Sequence, residues 1–293
     1  MIITVASGKG GTGKTLVSTS LALSLGAENV RFFDCDVEEP NGYIFLKPVI
    51  DKSVKVYLPK PRVNIEKCNF CGSCASACVY NAVAVIKPMA GKTKGSVLFF
   101  YELCHSCGAC SLACTQRAIH EEPGEKGEVE TGTAKNGFFF AHGRLKPSEA
   151  NPVPLVKAVK KYAEDGKINI IDSSPGTSCP VVQAVNGSDF CLLVTEPTPF
   201  GLNDLALAVE MTRELNVPAG VVINRSDIGD SAVEEYCSKE KVPVLLRIPF
   251  RREIAVAYSK GIPLVESSPE FREVFKKLFY DICSIVEAKR RQK

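Results

Sequence analysis

The sequence predicts an α/β fold, with a mainly parallel sheet carrying helices on both faces and a small inserted α+β domain. Three observations predict it. Apolar runs of buried-strand type alternate with helical patterns along most of the chain, the order expected of a parallel sheet covered on both sides. The first run leads straight into a glycine loop and then a helix. Between about Val54 and His120 the alternation stops, and eight of the 13 cysteines fall there, from Cys68 to Cys114, in a duplicated pattern.

The elements follow in order. A strand over Ile2–Ala6 enters a loop at Ser7–Gly13, and a helix runs from Lys14 to about Leu25. A second strand is expected at Val30–Asp34, and further buried strands at Ile168–Asp172, Phe190–Thr195, Ala219–Asn224 and Val244–Ile248. Helical patterns lie between them, as at Leu202–Leu215 and Asp230–Lys239, and a final helix covers about Pro269 to Ala288 before a basic tail. In the interruption, Cys68, Cys71, Cys74, Cys78 and Ala82 recur 36 residues later as Cys104, Cys107, Cys110, Cys114 and Ala118, and Gly72 recurs as Gly108. Two halves of one pseudo-symmetric unit are implied. A Gly- and Glu-rich stretch, Glu121–Gly137, is read as the way back. The expected division is 1–55 with 121–293 as the α/β domain, and 56–120 as the insert.

Composition sets the bounds. Hydrophobic residues make up 45% of the 293 residues, enough for a sizeable core. The net charge of +3 sets 36 Lys+Arg against 33 Asp+Glu, too balanced to argue for nucleic acid. No signal peptide is recognisable, and no apolar stretch approaches the roughly 20 residues of a membrane span. A cytoplasmic location is expected, and cysteines in that setting point to metal or redox chemistry rather than disulfides.

Gly8-Lys9-Gly10-Gly11-Thr12-Gly13-Lys14-Thr15 fits the Walker A pattern. Its glycines let successive backbone N–H groups face phosphates, at a helix N-terminus whose dipole favours anions. Lys14 is suited to the β- and γ-phosphates, and the Thr15 hydroxyl to Mg²⁺. With Lys9 included, the motif resembles the deviant Walker A of the MinD/ParA/nitrogenase iron protein family. That resemblance implies a P-loop NTPase sheet, ATP and Mg²⁺ as ligands, and a dimer in which Lys9 crosses to the partner's nucleotide. It further implies Asp34 near Mg²⁺, Asp36 near the attacking water, and Asp172 as the Walker B carboxylate. Asn224, Pro249 and Phe250 fall where the family contacts the base. Together these positions cover nearly all of the chain outside the insert.

The two cysteine runs are similar to those of two-cluster bacterial ferredoxins, where the fourth cysteine of each run ligates the other cluster. The resemblance implies one 4Fe–4S cluster on Cys68, Cys71, Cys74 and Cys114, and another on Cys104, Cys107, Cys110 and Cys78. Zinc is the competing thiolate-bound metal. The proline that usually follows the fourth cysteine is replaced by Val79 and Thr115. His105 is expected to face solvent, and Cys35, Cys179, Cys191, Cys237 and Cys283 to be small buried hydrophobes.

The expected function is an ATP-hydrolysing dimeric switch coupled to electron transfer, as a homodimer or a heterodimer with a similar ATPase, working with a redox protein. Alternatives are an iron–sulfur carrier, a membrane-positioning ATPase anchored by its basic C-terminal helix, and a nucleotide-binding scaffold with little turnover. The carrier reading suffers from the lack of a C-terminal Cys-x-x-Cys, and the membrane reading is not favoured because basic residues already suit a helix C-terminus. Cys179, seven residues after Asp172, matches the nitrogenase iron protein's cluster cysteine in position. Phe138–Pro154 supplies no second cysteine for a cluster shared between subunits. Packing at a helix start is then one reading, and a thiol that responds to nucleotide is the other.

Overall fold

The computed structural model describes residues 1–90 and 94–291. Eleven strands are described: β1 Ile2–Ala6, β2 Val30–Cys35, β3 Val49–Val63, β4 Val83–Ile86, β5 Ser96–Phe99, β6 Ile119–Thr133, β7 Phe139–Leu145, β8 Ile168–Ser173, β9 Phe190–Thr195, β10 Ala219–Asn224 and β11 Val244–Ile248. The helices are α1 Lys14–Ser24, α2 Gly42–Leu46, α3 Ser73–Ser76, α4 Ala109–Leu112, α5 Val153–Lys160, α6 Cys179–Val185, α7 Pro199–Glu214, α8 Ala232–Lys239, α9 Arg252–Ser259, α10 Leu264–Ser267 and α11 Phe271–Arg291. One nine-stranded sheet has the order β11-β10-β9-β1-β8-β2-β7-β6-β3, and β4 pairs with β5 alone. Two compact units result. One comprises Met1–Ser53, Val129–Arg144 and Val156–Lys293, and the other Val54–Glu128 and Leu145–Leu155.

In the larger unit the pairings of β1 with β8 and β9, of β2 with β7 and β8, and of β10 with β9 and β11 are all parallel. Side chains alternate along each strand, so the sheet feeds two cores. Phe190, Leu192 and Val194 of β9 join Leu16, Val17 and Leu21 of α1 and Phe271, Phe275, Leu278, Ile282 and Val286 of α11. Cys191 and Leu193 turn the other way, onto Val181 and Val185 of α6, Leu205 and Val209 of α7, and Val233 and Cys237 of α8. The α11 stripe repeats at three- and four-residue steps, as one buried helix face requires. Each such side chain, fully buried, contributes roughly 1.5–3 kcal/mol.

The smaller unit shows the 36-residue repeat in its backbone. Phe70 and Ser106 both adopt positive φ, at 57° and 55°, as do Gly72 and Gly108, at 87° and 76°, and Asn81 and Arg117, at 53° and 48°. Gly72 and Gly108 each cap a four-residue helix, α3 and α4. The amides of Ala82 and Ala118 donate to the Sγ atoms of Cys78 and Cys114 at 3.3 and 3.2 Å.

Three stretches differ from the sequence expectation. Glu121–Gly137 is largely strand β6, β7 was not foreseen, and β3 carries Pro59 and Pro61. β3 lies at the edge of the sheet, where a missing N–H costs no ladder bond. Among the described residues no helix is long and apolar enough to cross a membrane. Of the basic tail, Gln292 and Lys293 lie outside the described residues.

Candidate functional site

The glycine loop closes the carboxyl end of β1 and opens α1. It is clamped from three sides. A Cβ on Gly8 would lie 2.2 Å from the Asp204 carbonyl oxygen, so α7 can lie against the loop only if residue 8 lacks a side chain. The Asn224 amide, at the end of β10, donates to the Thr12 carbonyl at 2.9 Å. Gly176 N, in the loop after β8, donates to Ser7 O at 2.9 Å.

Above the loop opens a cavity of about 410 Å³. Of the residues singled out in the sequence, Gly10, Gly11, Gly13, Lys14, Thr15, Asp36, Asn224, Pro249 and Phe250 line it. Gly8, Lys9, Thr12, Asp34 and Asp172 do not. The cavity also takes in residues the motifs did not mark: Glu39, Asn41, Pro175, Arg225, Arg251, Ile254, Ala255 and Tyr258. Asn41 accepts the Thr15 hydroxyl at 2.8 Å. Only its place, seven residues beyond Asp34 in the loop after β2, could have marked it.

Behind the cavity lie two carboxylates. Asp34 and Asp172 are register partners on adjacent strands β2 and β8, and both are buried. Asp34 accepts the backbone N–H groups of Asp36, Asn41 and Gly42 at 3.1, 2.9 and 2.8 Å, so it organises the following loop from beneath. Burial, and then the charge of Asp172, push its carboxyl well above the usual range. Asp172 is raised to about 6, chiefly by burial, while the charge of Lys14 pulls the other way. Among the described residues neither Asp172 oxygen has a hydrogen-bond partner. Asp36 is raised to about 6 by burial, against the pull of Lys14. Burial lowers the Lys14 ammonium in turn, against these three carboxylates. Unpartnered carboxylate oxygens beside a threonine hydroxyl form the hard, oxygen-only donor set that suits Mg²⁺. Lys9 stands outside, its Nζ 3.9 Å from Glu196 Oε2, and Arg225 pairs with the other oxygen of Glu196 at 2.9 Å.

A sequence profile described as the CobQ/CobB/MinD/ParA nucleotide binding domain matches residues 3–264. The chain belongs to this family. It carries the P-loop nucleotide-binding domain that this family shares with MinD and ParA. An uncharacterized protein of Methanocaldococcus jannaschii is 32% identical over 266 residues, spanning 89% of this chain and 90% of that protein. An iron-sulfur cluster carrier protein of the same organism is 30% identical over 174 residues, spanning 50% of this chain and 60% of its own. The septum site-determining protein MinD of Pyrococcus horikoshii, solved with Mg-ADP, is similar in fold, with a TM-score of 0.55 and 21% identity. That likeness covers 94% of this chain and 93% of the other.

The MinD/ParA-type chain carries a second constellation in its smaller unit. Cys68, Cys71, Cys74 and Cys114 line one hollow, and Cys78, Cys104, Cys107 and Cys110 line another. Each hollow thus takes three cysteines from one run and the fourth from the other. All eight are free thiols. Among the described residues no three His, Cys, Asp or Glu side chains are grouped closely enough to hold a single ion. Cys74 is raised by burial and by the charges of Cys68 and Cys114. Cys110 is pushed up to about 11 by burial and by Cys104 and Cys107. Cys71 is lowered by hydrogen bonds from Ser73. His105 does not simply face solvent: its ring stacks on Tyr80 with centroids 3.7 Å apart. Of the remaining cysteines, Cys35, Cys191 and Cys237 are buried and Cys283 half-buried, but Cys179 is exposed at the start of α6, against the packing expectation.

Proposed function

We propose that this chain is an ATP-hydrolysing dimeric switch whose turnover is coupled to electron transfer through two 4Fe–4S clusters. The observation that carries it is the crossed lining of the two hollows, each by three cysteines of one run and one of the other. A cubic cluster needs four thiolates spread around a space rather than gathered on a point, and its cationic core relieves the repulsion felt at Cys74 and Cys110. Cys68, Cys71, Cys74 and Cys114 would hold one cluster, and Cys104, Cys107, Cys110 and Cys78 the other. When bound, such clusters each accept and release one electron.

The remaining residues handle ATP. Gly10, Gly11 and Gly13 leave the loop open to phosphates, Lys14 meets the β- and γ-oxygens, and Thr15 and Asp172 hold Mg²⁺. Asp34 shapes the loop that carries Asp36 and Asn41 to the cavity, where Asp36 orients the attacking water. Pro249, Phe250 and Asn224 flank the base. Lys9 swings from Glu196 to a partner subunit's nucleotide, as an arginine finger does, in a homodimer or a heterodimer with a similar ATPase. A redox protein is the further partner.

The test is metal analysis of anaerobically purified chain. About eight iron atoms per chain are expected. Stoichiometric zinc without iron would remove the cluster reading and leave the ATPase intact.

A second reading, an iron–sulfur carrier, draws support from relatives of that name, which match about half of this chain. Cys237 is buried, which weighs against a labile site formed with Cys283. The readings part on one measurement: a carrier hands its iron to an apo-acceptor during ATP turnover, whereas a redox switch keeps it.

A further inference from the structure

Lys126 of β6 is fully buried in the smaller unit, and Lys60 of β3 nearly so. Both ammonium groups donate to one oxygen of Glu149, each at 2.9 Å. The segment Leu145–Leu155 supplies that carboxylate, and it is tied down where Lys146 N donates to Lys126 O at 3.0 Å. Room for Lys60 is made by Gly124, where a Cβ would lie 2.3 Å from the Lys60 Cγ. Burial alone would push Glu149 up, but hydrogen bonds from Lys126 and Lys60 hold it below its usual range, in its charged form. Two cations against one anion leave a net positive charge in a buried place. Buried lysines are costly, and nothing in the nucleotide chemistry uses these.

The charge is not evenly shared between the two hollows. Pro61, next to Lys60 in β3, lines the second hollow together with Cys104 and His105. Lys60 also donates to Tyr101 O at 3.4 Å, three residues before Cys104. The first hollow has Lys87 acting on Cys71, but Lys87 is exposed and therefore screened. Glu121 lines the second hollow and opposes the triad, but it too is exposed.

We propose that the Lys60–Lys126–Glu149 triad biases the module electrostatically, making the site of Cys78, Cys104, Cys107 and Cys110 the easier of the two to reduce. This rests on the cluster reading above. Reduction adds one negative charge to a metal core already ringed by four thiolates, and a fixed buried cation favours that charge. The electron comes from a one-electron donor, dithionite in the test, which is oxidised as the core is reduced. No bond forms or breaks and no proton moves. The triad thereby sets the direction in which an electron settles within the unit.

The experiment is a reductive titration of the full chain followed by electron paramagnetic resonance, with iron measured in every sample. Wild type should show two midpoints. Glu149→Gln should raise the upper one, and Lys126→Met or Lys60→Met should lower it, by about tenfold in the reduction equilibrium, about 59 mV for one electron. The lower midpoint should move less. Opposite shifts from opposite charges are something a merely structural role would not produce. The proposal is overturned if iron is complete and both midpoints stay put, move together, or shift in one direction for all three variants. Loss of iron in all three variants makes the triad a structural prop and overturns it too. Wild-type protein without iron removes the cluster reading itself, a distinguishable failure.

Discussion

Lys14 sits among three carboxylates that repel one another, and that arrangement is costly without ligands. An acid whose pKa is higher in the folded chain adds stability below its unfolded value and loses it as pH rises through the folded one. For Asp172 the window runs from its usual 3.8 to about 6. Asp172→Asn should therefore stabilise the chain free of nucleotide and Mg²⁺ at pH 7, by on the order of 2 kcal/mol. The gap to wild type should close as the pH falls toward 4, in thermal unfolding of the two proteins side by side. The same variant should lose Mg²⁺-dependent nucleotide binding, because it neutralises a buried carboxylate that has no hydrogen-bond partner among the described residues. The two lysines of the loop should separate cleanly. Lys14→Ala removes a contact to bound phosphate and should weaken binding itself. Lys9→Ala, whose side chain lies outside the cavity, should leave binding near wild type and lower kcat and ATP-dependent dimerisation. Wild-type turnover in the Lys9 variant would end the trans-lysine role.

At the scale of elements, the glycine loop depends on what leans on it. Helix α7 occupies the space beside Gly8, and Asn224 of β10 reaches the loop from the other strand end. Gly8→Ala must push α7 or the loop aside. A loss of roughly 1–3 kcal/mol is expected, together with weaker nucleotide binding. Thermal unfolding and a fluorescent-nucleotide titration measure the two, and an unchanged affinity would mean that the loop absorbs the methyl group. Asn224 shows how one side chain serves two ends. It lines the cavity, and it also holds the Thr12 carbonyl, which no strand-end motif announces. Helix α2 is a further case. It stands between Asp34 and β3, with Gly42 N on the Asp34 carboxylate, so the covalent path from β2 into the cysteine unit runs through it.

At the scale of the whole molecule, the consequence of a coupled switch is that nucleotide state changes the properties of the cysteine module. A non-hydrolysable ATP analogue should alter the rate at which an iron chelator strips the protein, and should change alkylation of the exposed Cys179. Identical chelation rates and identical labelling with no nucleotide, ADP and analogue would leave a tethered module without coupling.

The strands β1, β2, β8, β9, β10 and β11, the glycine loop and the pseudo-repeat were all legible in the sequence, because each is written in local signals. Those signals are apolar runs in strand context, glycines at fixed offsets before a lysine, and cysteines repeated at a constant interval. The edge strand β3 and the strand β6 were not, because their polar, proline- and glycine-bearing stretches show no buried periodicity, and pairing across the chain makes them strands. Tertiary structure alone decided that Asp34 spends itself on three backbone N–H groups while its register partner Asp172 has no hydrogen-bond partner among the described residues. It alone brought Asn41, Arg251 and Tyr258 to the cavity, and Glu149 to two lysines far from it in the chain. Spacing specifies which donors a short loop can present, whereas burial and long-range pairing determine which of them remain free to act.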